Sequence, residues 1–166
     1  MTRMTVRTRL DRLYDRVRHP AARDVALAAS APGGDLGRLL VHKYCLVITY
    51  RRDGTAVPTP VWFGVDGARL YFRTGAAAAK VKRIRADGRA AVAPCTARGE
   101  PLGPAAEYGA RILDGEPDRE RAERAISRHY GIGRRLYVRF VSGQPRDVAY
   151  VEVYPASEAG GDGEEP

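Results

Sequence analysis

The spacing of apolar residues predicts a helical lead ahead of a β-rich domain. Over residues 5–18, apolar side chains recur at helical spacing between arginines, which predicts an amphipathic helix. Its apolar positions are Leu10, Leu13, Tyr14 and Val17. Residues 21–29 are alanine-rich and are expected to form a second helix, and Asp35 can cap a short third one. Residues 1–34 are therefore expected to be a helical N-terminal lead.

Strand patterns follow from residue 44 onward. Segments 44–51, 55–65 and 69–74 are predicted strands, because β-branched and aromatic residues dominate them. Asp-Gly pairs separate these segments and are strong signals for tight hairpin turns. Pro58 and Pro60 cannot donate to a ladder, so the second strand is predicted to lie at an edge. Its open side would then face something other than a neighbouring strand, and a ligand is one candidate.

The second half of the chain alternates helices and strands. In chain order we predict a helix over 76–86, strands over 89–96 and 105–113, a helix over 117–130 and a strand over 147–154. Pro117 suits the first turn of its helix and Gly131 suits the stop. Residues 35–155 are thus expected to form one mainly β domain with flanking helices, and the Gly/Glu-rich residues 156–166 a disordered tail.

Composition excludes several classes of protein. The 166 residues suffice for one domain with a sizeable core. No apolar stretch reaches the roughly 18–20 residues of a membrane span, and no apolar signal segment is visible at the N-terminus. Cys45 and Cys95 lie on predicted strands without CxxC spacing, which favours buried thiols in a reducing cytoplasm. The three histidines are too scattered to suggest a metal site.

The cations indicate an anionic ligand. The formal net charge is +8, and arginine is the default cation, because only Lys43, Lys80 and Lys82 are lysines. Two of the three lysines follow a Thr74-Gly75 turn at short spacing. A lysine is a compact point charge that suits a phosphate group. A nucleic-acid partner is the competing interpretation, but no helix-turn-helix, zinc-finger or RNP signature accompanies the charge.

Several short motifs occur in an order that resembles a known family. They are Thr59-Pro-Val-Trp-Phe63, Thr74, Lys80-Val-Lys-Arg-Ile84, Ala93-Pro-Cys95, Arg98-Gly99 and Gly103-Pro104. Together they resemble the pyridoxamine-5'-phosphate-oxidase-like split-barrel superfamily and, more narrowly, its branch of oxidoreductases that depend on coenzyme F420. The likeness covers about residues 36–154, including the Arg-His-Tyr-Gly end of the last helix.

This resemblance implies a six-stranded split β-barrel of the FMN-binding type. It implies a homodimer with a flavin or deazaflavin ring in the groove between subunits. Residues 58–63 would flank the ring through their backbone; they are Pro58, Thr59, Pro60, Val61, Trp62 and Phe63. Thr74 and Lys80 would hold the cofactor phosphate, with Lys82 and Arg83 as nearby cations, and Cys95 is a candidate for the wall of the pocket.

The function implied is hydride transfer between coenzyme F420 and an electron-poor small organic acceptor. No Ser-His-Asp, Cys-His or paired-carboxylate arrangement is visible, which fits an enzyme whose cofactor carries the chemistry. The alternatives are an FMN-dependent enzyme on the same fold, a non-catalytic barrel that binds a flavin or haem-related ligand, and a nucleic-acid-binding protein. Taken without the resemblance, the cations of residues 80–85 also fit a solvated helix face, and Cys95 also fits a core position.

Overall fold

The first described elements are two short helices. The computed structural model describes residues 19–29, 31–131 and 148–158. The helix predicted over 5–18 and most of the predicted tail lie outside these residues. Helix α1 spans Ala21–Leu27, which confirms the second predicted helix. A 3-10 helix over Leu36–Val41 follows, and the side chain of Asp35 caps it by accepting the N–H of Gly37 at 2.8 Å, as expected.

Seven strands and two further helices form the domain. The strands are β1 Tyr44–Tyr50, β2 Ala56–Val61, β3 Phe63–Asp66, β4 Arg69–Gly75, β5 Arg89–Cys95, β6 Ala106–Leu113 and β7 Val148–Pro155. The helices are α2 Ala79–Ala86 and α3 Glu116–Tyr130. All strand pairs are antiparallel, in the order β2-β1-β5-β6-β7-β4-β3. The predicted mainly β split barrel with flanking helices is confirmed.

One predicted strand is wrong in detail. Segment 55–65 was expected to be a single strand, but the chain breaks at Trp62 into β2 and β3. Strand β2 pairs with β1 and strand β3 pairs with β4, so the two halves occupy opposite edges of the sheet. The sheet therefore curls until its two edge strands, β2 and β3, meet at Trp62. Counted as one bent strand, β2 and β3 bring the number of strands to the predicted six.

The sheet stays open where the bent strand divides. The β3–β4 ladder ends at the pair Phe63 and Phe72. Two steps further the same register would pair Val61 with Thr74, but among the described residues β2 pairs only with β1 and forms no ladder with β4. The outer edge of β2 and the end of β4 therefore diverge. This opening, between residues 58–61 and residues 74–75, is called the split below.

Three apolar clusters hold the fold together. The largest fills the barrel: Leu36, Cys45, Val47, Val61, Phe63, Leu70, Phe72, Ile84, Ala90, Val92, Tyr108, Ala110, Val151 and Val153. A second lies between α1 and the outer face of β1, β2 and β5, and a third lies beneath α3. Within the described ranges, no helix is long and apolar enough to cross a membrane.

Candidate functional site

The edge of β2 forms one side of the split. In the described part of the chain, β2 pairs only with β1, so the prediction of an edge strand around Pro58 and Pro60 is confirmed. Thr59 shares its face of the strand with Val61, which points into the barrel. Its hydroxyl is buried, and the described residues supply no hydrogen-bond partner for it. Buried hydroxyl groups are nearly always paired, so the Thr59 hydroxyl is an exception among the described residues.

Thr74 forms the other side of the split. It lies near the end of β4 and shares its face with Phe72 and Leu70, which point into the barrel. Strands β1, β4 and β6 run in one direction, so their C-terminal ends lie at the same end of the barrel. Thr74, near the C-terminal end of β4, therefore lies at the same end of the barrel as the C-terminal end of β1.

Helix α2 follows Thr74 and carries the predicted cations. Val81 and Ile84 form its buried face, and the helix packs against β1 and β6. Lys80 is half-buried and Lys82 is exposed. The two lysines therefore have different surroundings, although both were predicted as cofactor contacts.

Arg83 is anchored in the barrel. Its Nε donates a hydrogen bond of 2.7 Å to the hydroxyl of Thr49, a residue that is only 1% exposed. Thr49 lies on β1 in phase with Cys45 and Val47, which fill the barrel. Thr49 was missed in the sequence, where its only signal was a polar residue at an inward position of an apolar strand. This contact ties α2 to the sheet.

Trp62 and Phe63 lie on opposite sides of the bend. Phe63 is fully buried in the barrel, whereas Trp62 points outward. The indole stacks on the ring of Tyr130 with centroids 4.6 Å apart and planes inclined by 22°. The ring of Tyr44 meets it edge-on at 6.1 Å. Trp62 is thus a partner of the end of α3 rather than a core residue.

The end of α3 clasps the bend. The hydroxyl of Tyr130 accepts the N–H of Phe63 at 3.0 Å and donates to the carbonyl of Lys43. One residue earlier, Nε2 of His129 lies 2.9 Å from the carbonyl oxygen of His42. We call His129 and Tyr130 the clasp. The Arg-His-Tyr-Gly helix end was part of the sequence resemblance, but its contacts with the bend were not foreseen.

Cys95 lies away from the split. Its side chain belongs to the cluster beneath α1, on the outer face of the sheet, and the residue is 2% exposed. Burial raises the pKa of the thiol to about 12, so the sulfur stays protonated at neutral pH. The structure thus gives Cys95 the surroundings of a core residue. Within the described ranges, no group of His, Cys, Asp or Glu side chains could hold a metal ion.

The split, Thr74 and α2 occur in a chain that matches a known family model. The model for pyridoxamine 5'-phosphate oxidase matches residues 38–154, well over half of the chain. A comparison with curated proteins finds no match.

Several solved structures have a similar fold. A putative pyridoxamine 5'-phosphate oxidase from Listeria innocua is 18% identical with a TM-score of 0.52, over 72% of this chain and 89% of that one. A putative 5-nitroimidazole antibiotic resistance protein from Bacteroides thetaiotaomicron is 15% identical with a TM-score of 0.53, over 75% and 81%. A conserved hypothetical protein from Mycobacterium tuberculosis is 13% identical with a TM-score of 0.51, over 82% and 94%. At these identities the likeness describes the fold.

Proposed function

Because the chain belongs to the pyridoxamine 5'-phosphate oxidase family, we propose that it is an oxidoreductase with a flavin-type cofactor in the split. The cofactor we put first is the deazaflavin coenzyme F420, and FMN is the alternative. The acceptor is an electron-poor small organic molecule. The protein acts as a cytoplasmic homodimer, with the cofactor at the subunit interface.

The observation that carries this proposal is the buried hydroxyl of Thr59, which has no partner among the described residues, beside a strand edge that no described strand pairs with. A buried polar group without a partner costs about 1–3 kcal/mol. A ligand with a polar rim recovers that cost when it binds along β2. The ring system of a flavin or deazaflavin has such a rim, so the residues of the split fit the proposed cofactor.

Thr74 and Lys80 hold the phosphate in this proposal. The hydroxyl of Thr74 lies at the end of β4, where the strand leaves the ladder with β3, and Lys80 follows in the first turn of α2. A hydroxyl and an ammonium group both donate to phosphate oxygens. Lys82 is exposed and meets the charged tail that distinguishes coenzyme F420 from FMN. Arg83 supports the site through Thr49 by holding α2 on the barrel.

The residues of the split bind and orient, and when bound the cofactor supplies hydride-transfer chemistry. The edge of β2 fixes the plane of the ring, and the clasp fixes β2 where it bends. Phe63 and the barrel core close the site from below and exclude water. This division of labour is common to enzymes whose cofactors carry the reaction.

The homodimer follows from the family resemblance, which puts the cofactor in a groove between two subunits. Light scattering at micromolar concentration should give the mass of a dimer, and a monomer with cofactor bound would contradict this part of the proposal.

Replacement of Lys80 tests the cofactor site. Lys80→Ala should weaken binding of coenzyme F420 about tenfold to a hundredfold, because a charge-assisted hydrogen bond to phosphate contributes about 1.5–3 kcal/mol. Trp62 is the only tryptophan and lies next to the split, so quenching of its fluorescence measures the titration.

Lys43→Ala is the matched control for this experiment. Lys43 is exposed just before β1, and the contact that the clasp makes with it uses its backbone carbonyl rather than its side chain. Its replacement should leave the dissociation constant unchanged. An unchanged dissociation constant in folded Lys80→Ala would contradict the phosphate site, and no binding of coenzyme F420 or FMN to wild type would contradict the proposed function.

A further inference from the structure

The open edge of β2 has an unusual set of hydrogen-bonding groups. In an antiparallel pair, opposite residues either exchange two N–H···O=C bonds or direct both groups away from the partner strand. Pro58 lies opposite Ile48 and Pro60 lies opposite Leu46. A proline has no N–H to exchange, so both prolines occupy the second kind of position. Their carbonyl groups therefore point away from β1, into the split.

The residues between and beside the prolines have the opposite orientation. Val57, Thr59 and Val61 exchange their N–H and C=O groups with β1, opposite Thr49, Val47 and Cys45. Across residues 57–61, the edge thus presents two carbonyl acceptors and no backbone N–H donor. An ordinary edge strand of this length would offer two donors there.

An edge strand with carbonyl acceptors and no N–H donors distinguishes two ring systems by the atom that each places opposite those carbonyls. The oxidised flavin ring has a nitrogen acceptor at position 5, whereas a deazaflavin has a C–H group there. A carbonyl oxygen that faces the nitrogen brings two lone pairs together and leaves the nitrogen without a donor. A carbonyl oxygen that faces the C–H group makes a weak C–H···O contact instead.

We propose that Pro58 and Pro60 make the cofactor site selective for a ring with carbon rather than nitrogen at position 5. This inference rests on the proposed function, because it requires a flavin-type ring along β2. It adds that selectivity for the ring comes from the backbone of β2, independently of the phosphate or the tail.

The direct test compares FMN with 5-deaza-FMN, which has the same phosphate and tail and differs only at position 5. Wild type should bind 5-deaza-FMN about threefold to tenfold more tightly, the value of one hydrogen bond. Quenching of Trp62 fluorescence measures both dissociation constants. Equal binding of the two ligands would overturn the inference and leave the proposed function standing, whereas no binding of either would overturn both.

Pro58→Ala and Pro60→Ala then test the cause. Each variant restores one N–H donor that points into the split. The ratio of the dissociation constant of FMN to that of 5-deaza-FMN should therefore fall toward one, mainly because FMN binds more tightly. Pro104→Ala is the matched control, since it removes an exposed proline outside β2 and should keep the wild-type preference. Thermal unfolding shows whether each variant is folded. Folded Pro58→Ala and Pro60→Ala proteins with an unchanged preference would overturn the assignment to the prolines.

Discussion

The two halves of the strand that bends at Trp62 have opposite surroundings. Strand β3 is paired with β4, is packed against α3, and has the N–H of Phe63 bound by the hydroxyl of Tyr130. Strand β2 is paired on one side, presents donor-free carbonyls on the other, and keeps a buried Thr59 hydroxyl for which the described residues supply no partner. Both strands lie at an edge of the sheet and pair on one side among the described residues, so the difference between them lies in what surrounds them. We call β3, which α3 and the clasp cover, the satisfied half, and β2, with the Thr59 hydroxyl, the unsatisfied half.

This difference indicates how the fold would support the proposed binding site. Unpaired polar groups are costly, so they persist where neighbouring structure holds them in place. Here the neighbouring structure is β3 with α3 and the clasp. The satisfied half should therefore respond to mutation with a loss of stability, and the unsatisfied half with a change in ligand binding.

The largest effect is expected from Gly64 on β3. A Cβ at Gly64 would lie 2.3 Å from the backbone carbon and oxygen of Ala125 on α3, and backbone atoms cannot easily move aside. Gly64→Ala should lower the free energy of unfolding by about 3 kcal/mol, as severe overpacking does. Urea denaturation measures the loss.

Gly88→Ala is the control for that experiment. The nearest atom to a Cβ there is the carbonyl oxygen of Ala110 at 3.4 Å, which is ordinary contact. Its free energy of unfolding should change by less than about 1 kcal/mol. If Gly64→Ala were as stable as Gly88→Ala, the direct packing of α3 on β3 would be wrong.

The next largest effect is expected from the clasp, which holds the satisfied half in place. Tyr130→Phe keeps the ring that stacks on Trp62 but leaves the N–H of Phe63 and the carbonyl of Lys43 without the hydroxyl. The expected loss is about 1–3 kcal/mol in the free energy of unfolding. Tyr44→Phe removes a hydroxyl from the other ring beside Trp62 and should cost less. Equal losses in the two variants would show that the hydroxyl of Tyr130 does not hold the bend.

The sequence predicted what depends on near neighbours along the chain. The strands, the edge position of Pro58 and Pro60, and the split-barrel family follow from local patterns and motif order, and the structure confirms them. The hairpin at Asp66-Gly67 is tight as expected, whereas the loop over residues 51–55 is longer than the tight turn expected at Asp53-Gly54. The roles of Thr74 and Lys80 remain predictions. The break at Trp62 was missed because the same residues fit one long strand equally well.

Local sequence patterns could not predict the contacts between segments that lie far apart in the chain. The hydrogen bond between Phe63 and Tyr130 joins residues 67 positions apart, and that between Arg83 and Thr49 joins residues 34 apart. In the sequence Arg83 was one more cation in a charged helix. Only the packing of α2 on the end of β1 reveals that its Nε is bound inside the protein.

Thr49 and Thr59 form a matched pair that tests the difference between a satisfied and an unsatisfied hydroxyl group. Thr49 and Thr59 lie on neighbouring strands and point into the same barrel, but only the hydroxyl of Thr49 has a partner among the described residues. Thr49→Val should lower the free energy of unfolding by about 1–3 kcal/mol, because the Nε–H of Arg83 loses its acceptor. Thr59→Val should raise the free energy of unfolding by about 1 kcal/mol without cofactor, because an unsatisfied group is removed.

Cofactor binding completes the test of this pair. Thr59→Val should weaken binding about threefold or more, since the ligand loses the hydroxyl that it satisfies. Denaturation of both variants with and without coenzyme F420 separates the two effects. Stability changes of the same sign in Thr49→Val and Thr59→Val would contradict the assignment of Thr59 to the unsatisfied half.

The smallest effect is expected in the salt dependence of binding. Coenzyme F420 has a negatively charged tail beyond its phosphate, and exposed charges more than about 8–10 Å apart are largely screened at physiological salt, whereas enclosed contacts are screened less. Affinity for the full coenzyme should therefore fall more steeply with salt than affinity for a version trimmed to the phosphate.

Since Arg83 is anchored by Thr49, the exposed Lys82 is the cation expected to attract the tail. Lys82→Glu should make the two salt slopes equal, while Arg124→Glu, an equal charge change on α3, should leave them different. Parallel slopes in wild type would mean that the surplus positive charge does not recognise the tail.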